Sequence, residues 1–267
     1  MVRTLLIRGM LVGLLAGLLV FGFGKVFGEP QVDRAIGFES ALDAAKAKAE
    51  EARGIPVVEE PELVSRKVQA GLGMFTGVMV YATAFGGLFA LVFAVADRRV
   101  ADLGPRAVSA LLAASGFIAV YVVPNLKYPA NPPSVGQPDT IGQRTALYFI
   151  MLAFSVVAMI AASVLRKRLA ARHGGWNAAL IAAGSYLVAV IVVARILPGI
   201  NEVPDAFPAV VLWQFRVASF GMQLIMWATI GLAFGALSER ALSGHGSRLA
   251  NRRRQKLGTA QKLGTAL

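Results

Sequence analysis

Apolar residues gather in six long runs, at about 4–27, 70–96, 106–124, 144–165, 176–197 and 209–237, with charged or proline-rich segments between them. A helix needs about 20 mostly apolar residues to cross the hydrocarbon layer of a bilayer, whereas a barrel strand is an alternating segment of about ten. The run lengths therefore predict an all-α, polytopic integral membrane bundle of about six transmembrane helices over residues 1–244. Residues 28–69 form the longest connection, an appendage in which "SALDAAKAKAEEAR" predicts a short surface helix from its Ala, Lys and Glu content. Residues 245–267 predict a basic, disordered cytoplasmic tail, in which "QKLGTA" occurs twice in succession.

Composition sharpens the solvent. Hydrophobic residues make up 56% of the 267 and charged residues 16%, with a mean hydropathy of +0.62. A water-soluble domain carries roughly a quarter charged residues. The formal charge of +12 would suit nucleic acid if it were spread over one soluble face. It is instead divided by connection. The ends and the connections after the second and fourth runs hold 16 of the 27 Lys+Arg and only three acids, Asp97, Asp102 and Glu239. The other side holds 11 basic and 12 acidic groups. Because cytoplasmic loops are the Lys/Arg-rich ones, this predicts both termini inside, with lipid and not nucleic acid as the partner of "RRRQK". The first run reads as an uncleaved span, since "FGFGKVFGEP" offers no small-residue cleavage site.

Small residues recur at four-residue spacing: Gly9, Gly13 and Gly17, then Gly73 and Gly77, then Gly231 and Gly235. Such strips let helix backbones approach closely in lipid, so packing within the bundle is the expected role.

Eleven of the 12 prolines, all but Pro105, lie on the acidic, outer side. Proline fixes φ and removes an N–H, so the loops at 124–143 and 198–208 predict stiff covers over the bundle. The acids beside them are Glu29, Asp33, Asp139, Glu202 and Asp205. Glu29, Asp33, Glu202 and Asp205 form a candidate group for briefly holding a divalent cation, with neutral oxygens from Asn131, Asn201 and Tyr128, because such ions favour carboxylate and carbonyl ligands. The competing reading is structural: Asp139 caps the fourth helix, and Glu29 or Asp33 pairs with Arg34, Arg144 or Arg216. Arg216 lies well inside the sixth run and needs a partner there, with Glu29 or Asp33 the expected one.

Other chemistry is poorly served. There is no cysteine, no phosphate-binding G-x-x-x-x-G-K-[ST] loop and no H-E-x-x-H or G-x-S-x-G motif. The two histidines, His173 and His245, fall on the basic side. No carboxylate stands near the middle of a run, where acids of a proton relay would be. The expectation is a protein that is not an enzyme and holds no permanent cofactor. Polar residues in mid-run, such as Thr76, Ser115, Tyr121, Ser155, Tyr186 and Gln223, suit hydrogen bonds inside the bundle.

"FGEPQVDRAIGFE" (27–39), "LKYPANPPSVGQPDTIGQRTALYF" (126–149) and "INEVPDAFPAVVLWQFRVAS" (200–219), with "GLGMFTGVMVYATAFGGLFALVFA" in the second run, resemble the CbtA family of bacterial cobalt transporter subunits. The resemblance runs from about residue 1 to 242 and leaves the tail outside. It implies a multi-pass subunit, in the bacterial cytoplasmic (inner) membrane, of a cobalt, or related divalent cation, uptake system, with cobalt(II) as the transported ion. It also implies a small single-span, histidine-rich partner of the CbtB type, which would supply the imidazoles this chain lacks. Descriptions of the family give five spans where hydropathy counts six. Self-association is left open. The alternative is a non-transporting membrane scaffold or assembly factor for a metal-dependent complex.

Overall fold

A computed structural model of the chain describes residues 2–54, 64–97, 103–133 and 135–264, with side chains described as far as residue 240. Arg98, Arg99, Asp102 and the basic side chains of the tail, assigned above to the basic side, lie outside the described residues. All regular structure described is helical: α1 (Val2–Phe23), α2 (Glu29–Glu51), α3 (Arg66–Val68), α4 (Met74–Ala96), α5 (Pro105–Gly116), α6 (Val123–Lys127), α7 (Ile141–Ile196) and α8 (Ala209–Gly264), with short π and 3-10 turns. Five helices are long and apolar enough to cross a membrane: Val2–Glu51, Arg66–Ala96, Pro105–Lys127, Pro138–Ile196 and Ala209–Arg240.

Six runs become five helices because α7 absorbs two of them. At Gly174 the backbone leaves helical geometry, with φ 73° and ψ 162°, a conformation suited to glycine. In an unbroken helix Ser155 and Tyr186 would stand about 46 Å apart at 1.5 Å per residue. Their hydroxyls are 2.8 Å apart, so the two arms of α7 fold back on each other as a hairpin. Met151, Tyr186 and Val190 pack against Val123 of α6 and join the hairpin to the rest.

Two helices are interrupted just before a proline. The ring of Pro30 would collide with the carbonyl of Val26, and that of Pro124 with Val120, in a regular α-helix. A π turn at Gly24–Gly28 and another at Phe117–Val122 shift the hydrogen bonds by one residue and let each helix continue. The first run therefore extends through α2 as one helical rod, much longer than the surface helix read from the appendage.

The principal core joins α1, α4, α5 and α8. Val12, Ala16, Phe89, Phe93, Ile230 and Phe234 are among its buried members. Phe93 meets Phe234 edge to face at 5.1 Å and Phe85 meets Trp227 at 4.9 Å, contacts worth about 0.5–1.5 kcal/mol each beyond area burial. Gly9 and Gly13 press their backbones onto Gly86 and Ala82 of α4, leaving no room for a side chain. Gly231 and Gly235 do the same against Ala113 and Ser109 of α5. Gly77, by contrast, faces open space.

Side-chain contacts separate two ends. At one, Arg8 donates to the Leu237 carbonyl (3.2 Å) and Arg106 pairs with Glu239 (2.6 Å). At the other sit α2, α3 and the two proline loops.

Candidate functional site

Glu29 and Asp33 are one helical turn apart on α2 and so present their carboxylates to the same side. Both reach Arg66 at the start of α3: the Arg66 guanidinium pairs with Glu29, and its Nε donates to Asp33 at 3.0 Å. Arg34 takes a different direction, donating to Gln214 of α8 at 2.9 Å and to Gln31 at 3.2 Å. These bonds tie α2 to both α3 and α8.

An apolar plug fixes the loops to the rod. Ala35 on α2, Val135 in the first loop and Phe207 in the second are buried together, and Phe38 meets Phe207 edge to face at 5.1 Å. The loops also bond to each other. Tyr128 donates its hydroxyl hydrogen to the Pro198 carbonyl (2.9 Å), and the Gln137 N–H donates to Glu202 Oε2 (2.8 Å). Beneath them Arg216 Nε donates to the Ala130 carbonyl (3.2 Å), and its Nη2 to Asn131 Oδ1 (2.8 Å). The expectation that Arg216 pairs with Glu29 or Asp33 gives way: those acids belong to Arg66, and Arg216 is held by neutral carbonyl oxygens 85 and 86 residues earlier.

Between the loops lies a cavity of about 650 Å³. Tyr128, Asn131, Arg144, Asn201, Glu202 and Arg216, all singled out from the sequence, line it. Glu29, Asp33, Asp139 and Asp205 are not among its lining residues. Asp139 is exposed in a 3-10 turn, and Thr140, not Asp139, occupies the N-cap position of α7. Among the described residues no three of His, Cys, Asp and Glu come together as a metal-holding group: Glu29 and Asp33 share Arg66, Glu202 lines the cavity, and Asp205 does neither.

Arg144 Nε stands 3.5 Å from Glu202 Oε2, within charge attraction but not aligned as a hydrogen bond, and is a buried donor without an acceptor. Its Nη2 donates to the Gln137 carbonyl at 3.2 Å. Gly136 makes room for this guanidinium: its φ is 118°, and a Cβ there would fall on Arg144. Gly136→Ala is therefore expected to loosen the first loop by about 1–3 kcal/mol, seen as faster tryptic cleavage after Lys127 in membranes.

The Glu202 carboxyl is held below its ordinary pKa, first by the Thr140 hydroxyl and then by the Gln137 N–H; burial opposes them, and the Arg144 charge adds the smallest lowering effect. A depressed folded-state pKa gives stabilisation that is present above the unfolded value and lost as pH falls through the folded one. Amide exchange at Gln137, corrected for its intrinsic rate, is thus expected to stay constant from pH 7 to about 5 and to rise only below the ordinary glutamate range near 4.3.

Two participants escaped the sequence reading. Arg66 flanks a span on the acidic side, against the charge bias, and such a residue implies nearby carboxylates. Gly136 was marked only by being a glycine inside a proline-rich loop.

Among curated proteins and solved structures nothing matches this chain. A family profile described as "Probable cobalt transporter subunit (CbtA)" matches residues 2–239, which take in every element of the site and all five long apolar helices up to the last residue before Arg240. With that coverage, the chain is a multi-pass membrane protein that belongs to the CbtA family of probable cobalt transporter subunits.

Proposed function

We propose that this chain is the membrane subunit of a cobalt, or related divalent cation, uptake system, and that the end bearing the proline loops is its outer entrance. The carrying observation is convergence: segments around 27–39, 126–149 and 200–219, far apart in sequence, meet at one end, and the last two enclose the cavity. In this reading each arm of α7 crosses the membrane, giving six crossings with both termini in the cytoplasm, as the charge division predicts. Glu29 and Asp33 share one guanidinium and leave a net negative charge, and Asp139 and Asp205 are exposed. Together they would raise the local concentration of the cation, with Glu202 holding the loops and Tyr128 and Asn131 offering neutral oxygens.

A partner subunit would complete the path. The arms of α7 are the least buried of the long helices, and a groove of about 540 Å³ between them is lined by Ala158, Ala161, Ala162, Ala189 and Tyr186. Small residues on such a surface suit close approach of another helix, and a CbtB-type single-span subunit with histidines is the proposed occupant. One observation favours the scaffold alternative: polar groups in mid-bundle satisfy one another, as in Tyr121 with Ser219 (3.3 Å), Ser155 with Tyr186, and Ser109 with the Gly231 carbonyl (2.7 Å).

Flux of radioactive cobalt into proteoliposomes separates the two. The chain with its single-span partner is expected to load vesicles, and Glu202→Gln combined with Asp205→Asn to cut the initial rate several-fold without loss of protein. Absence of flux in both preparations overturns uptake and leaves the scaffold reading.

A further inference from the structure

The charge balance of the cavity is unusual for a cation entrance. Its charged lining residues are Arg144, Arg216 and Glu202, two positive groups against one negative. The negative one is already engaged: Glu202 accepts from the Gln137 N–H and faces Arg144. Arg216 has only neutral acceptors, the Ala130 carbonyl and the Asn131 amide oxygen, and among the described residues no carboxylate pairs with it. Arg144 keeps a buried Nε–H with no acceptor. A guanidinium has five N–H donors and no acceptor. A charge within a spanning helix is costly unless it is paired. The remaining wall is partly apolar, with Ile141, Phe149 and Val203.

We propose that this cavity is an anion site, which takes an organic anion through its carboxylate or phosphate oxygens. Arg216 supplies the unpaired charge, Arg144 a second guanidinium in the lining, and Ile141, Phe149 and Val203 the surface for the carbon skeleton. Planar guanidinium groups match the geometry of carboxylate and phosphate oxygens. The inference concerns this chain's own charge balance and does not depend on uptake of a metal.

The test uses the full chain purified in a neutral detergent, with citrate and inorganic phosphate as probes and sodium chloride at matched ionic strength as control. Citrate or phosphate is expected to raise the thermal midpoint saturably in the wild type. Arg216→Gln should weaken the apparent affinity about tenfold or more, the loss expected for a charge-assisted contact. Arg195→Gln, at an exposed position outside the cavity, should respond as the wild type does. Because Arg216→Gln also frees the loop, Asn131→Asp carries the decisive comparison. It places a carboxylate beside Arg216, so it should raise the starting midpoint and abolish the anion response. A lipid phosphate as the natural source would appear as about one phospholipid per chain by mass spectrometry, retained by the wild type and lost in Asn131→Asp. The proposal is overturned if Asn131→Asp responds to both probes as the wild type does. It is equally overturned if the wild type shows neither an anion response nor a retained lipid.

Discussion

Replacing Arg216 with glutamine is expected to lower cobalt accumulation by about tenfold or more while the chain stays in the membrane. The side chain connects α8 to the first proline loop through two hydrogen bonds, at Ala130 and Asn131. Hydrogen bonds to a charged group contribute about 1.5–3 kcal/mol each, so losing both raises the population of a detached loop by roughly a hundredfold if even 3 kcal/mol is lost. Glutamine keeps the site polar and lets the span insert. Lysine retains the charge but not the two-pronged donor geometry, and is expected to restore only a minor part of the activity. Accumulation of radioactive cobalt, normalised to membrane-embedded protein, reads the effect. Wild-type accumulation in Arg216→Gln would remove this residue from the account.

The second large effect lies in the bundle. Gly13→Leu is expected to deplete folded protein and to lower the thermal midpoint of what remains, whereas Gly77→Leu is expected to be nearly neutral. Both glycines belong to four-residue strips, yet their surroundings differ. Gly13 touches the backbone of α4 at Ala82 and Thr83, and Gly86 of α4 touches Gly9 and Gly13 in return. A leucine there must push two backbones apart. In lipid no water-driven burial compensates, because helix association rests on close packing itself. Overpacking costs about 1–3 kcal/mol in well-packed cores, and a contact that is backbone on both sides has little freedom to adjust. A Cβ at Gly77 would meet nothing beyond its own helix within 4 Å. The yield of monodisperse protein in detergent and its midpoint check both variants, and equal behaviour of the two would contradict the packing derived for α1 and α4.

These two residues also mark how far the sequence can be read. Run length exposed the helices because the bilayer sets their minimum length, whatever their neighbours. Glycine spacing identified Gly9 and Gly13 as a packing strip, but periodicity alone does not name the opposing face. The partner strip is Ala82 with Gly86, four residues apart, and alanine is too common to stand out. The hairpin in α7 was visible as two apolar runs around "RHGGWN", although a single non-helical residue, Gly174, suffices to reverse the chain. At the site, proline-rich composition singled out both loops, and Tyr128, Asn131, Arg144, Glu202 and Arg216 do share a cavity. Charge pairing was read less well. Opposite charges suggested that Arg216 would seek an acid, whereas its acceptors are a backbone carbonyl and an amide oxygen, which leave no trace in a charge pattern. Arg66, with two carboxylates, was the true partner of Glu29 and Asp33.

The account rests on sidedness, and the absence of cysteine makes that measurable without background. Single cysteines at Asp139, Asn201 and Arg168 would be challenged in intact cells with a membrane-impermeant maleimide. Asp139→Cys and Asn201→Cys are expected to react at once, and Arg168→Cys only after permeabilisation. Labelling of all three from the same side would contradict an entrance built from the proline loops.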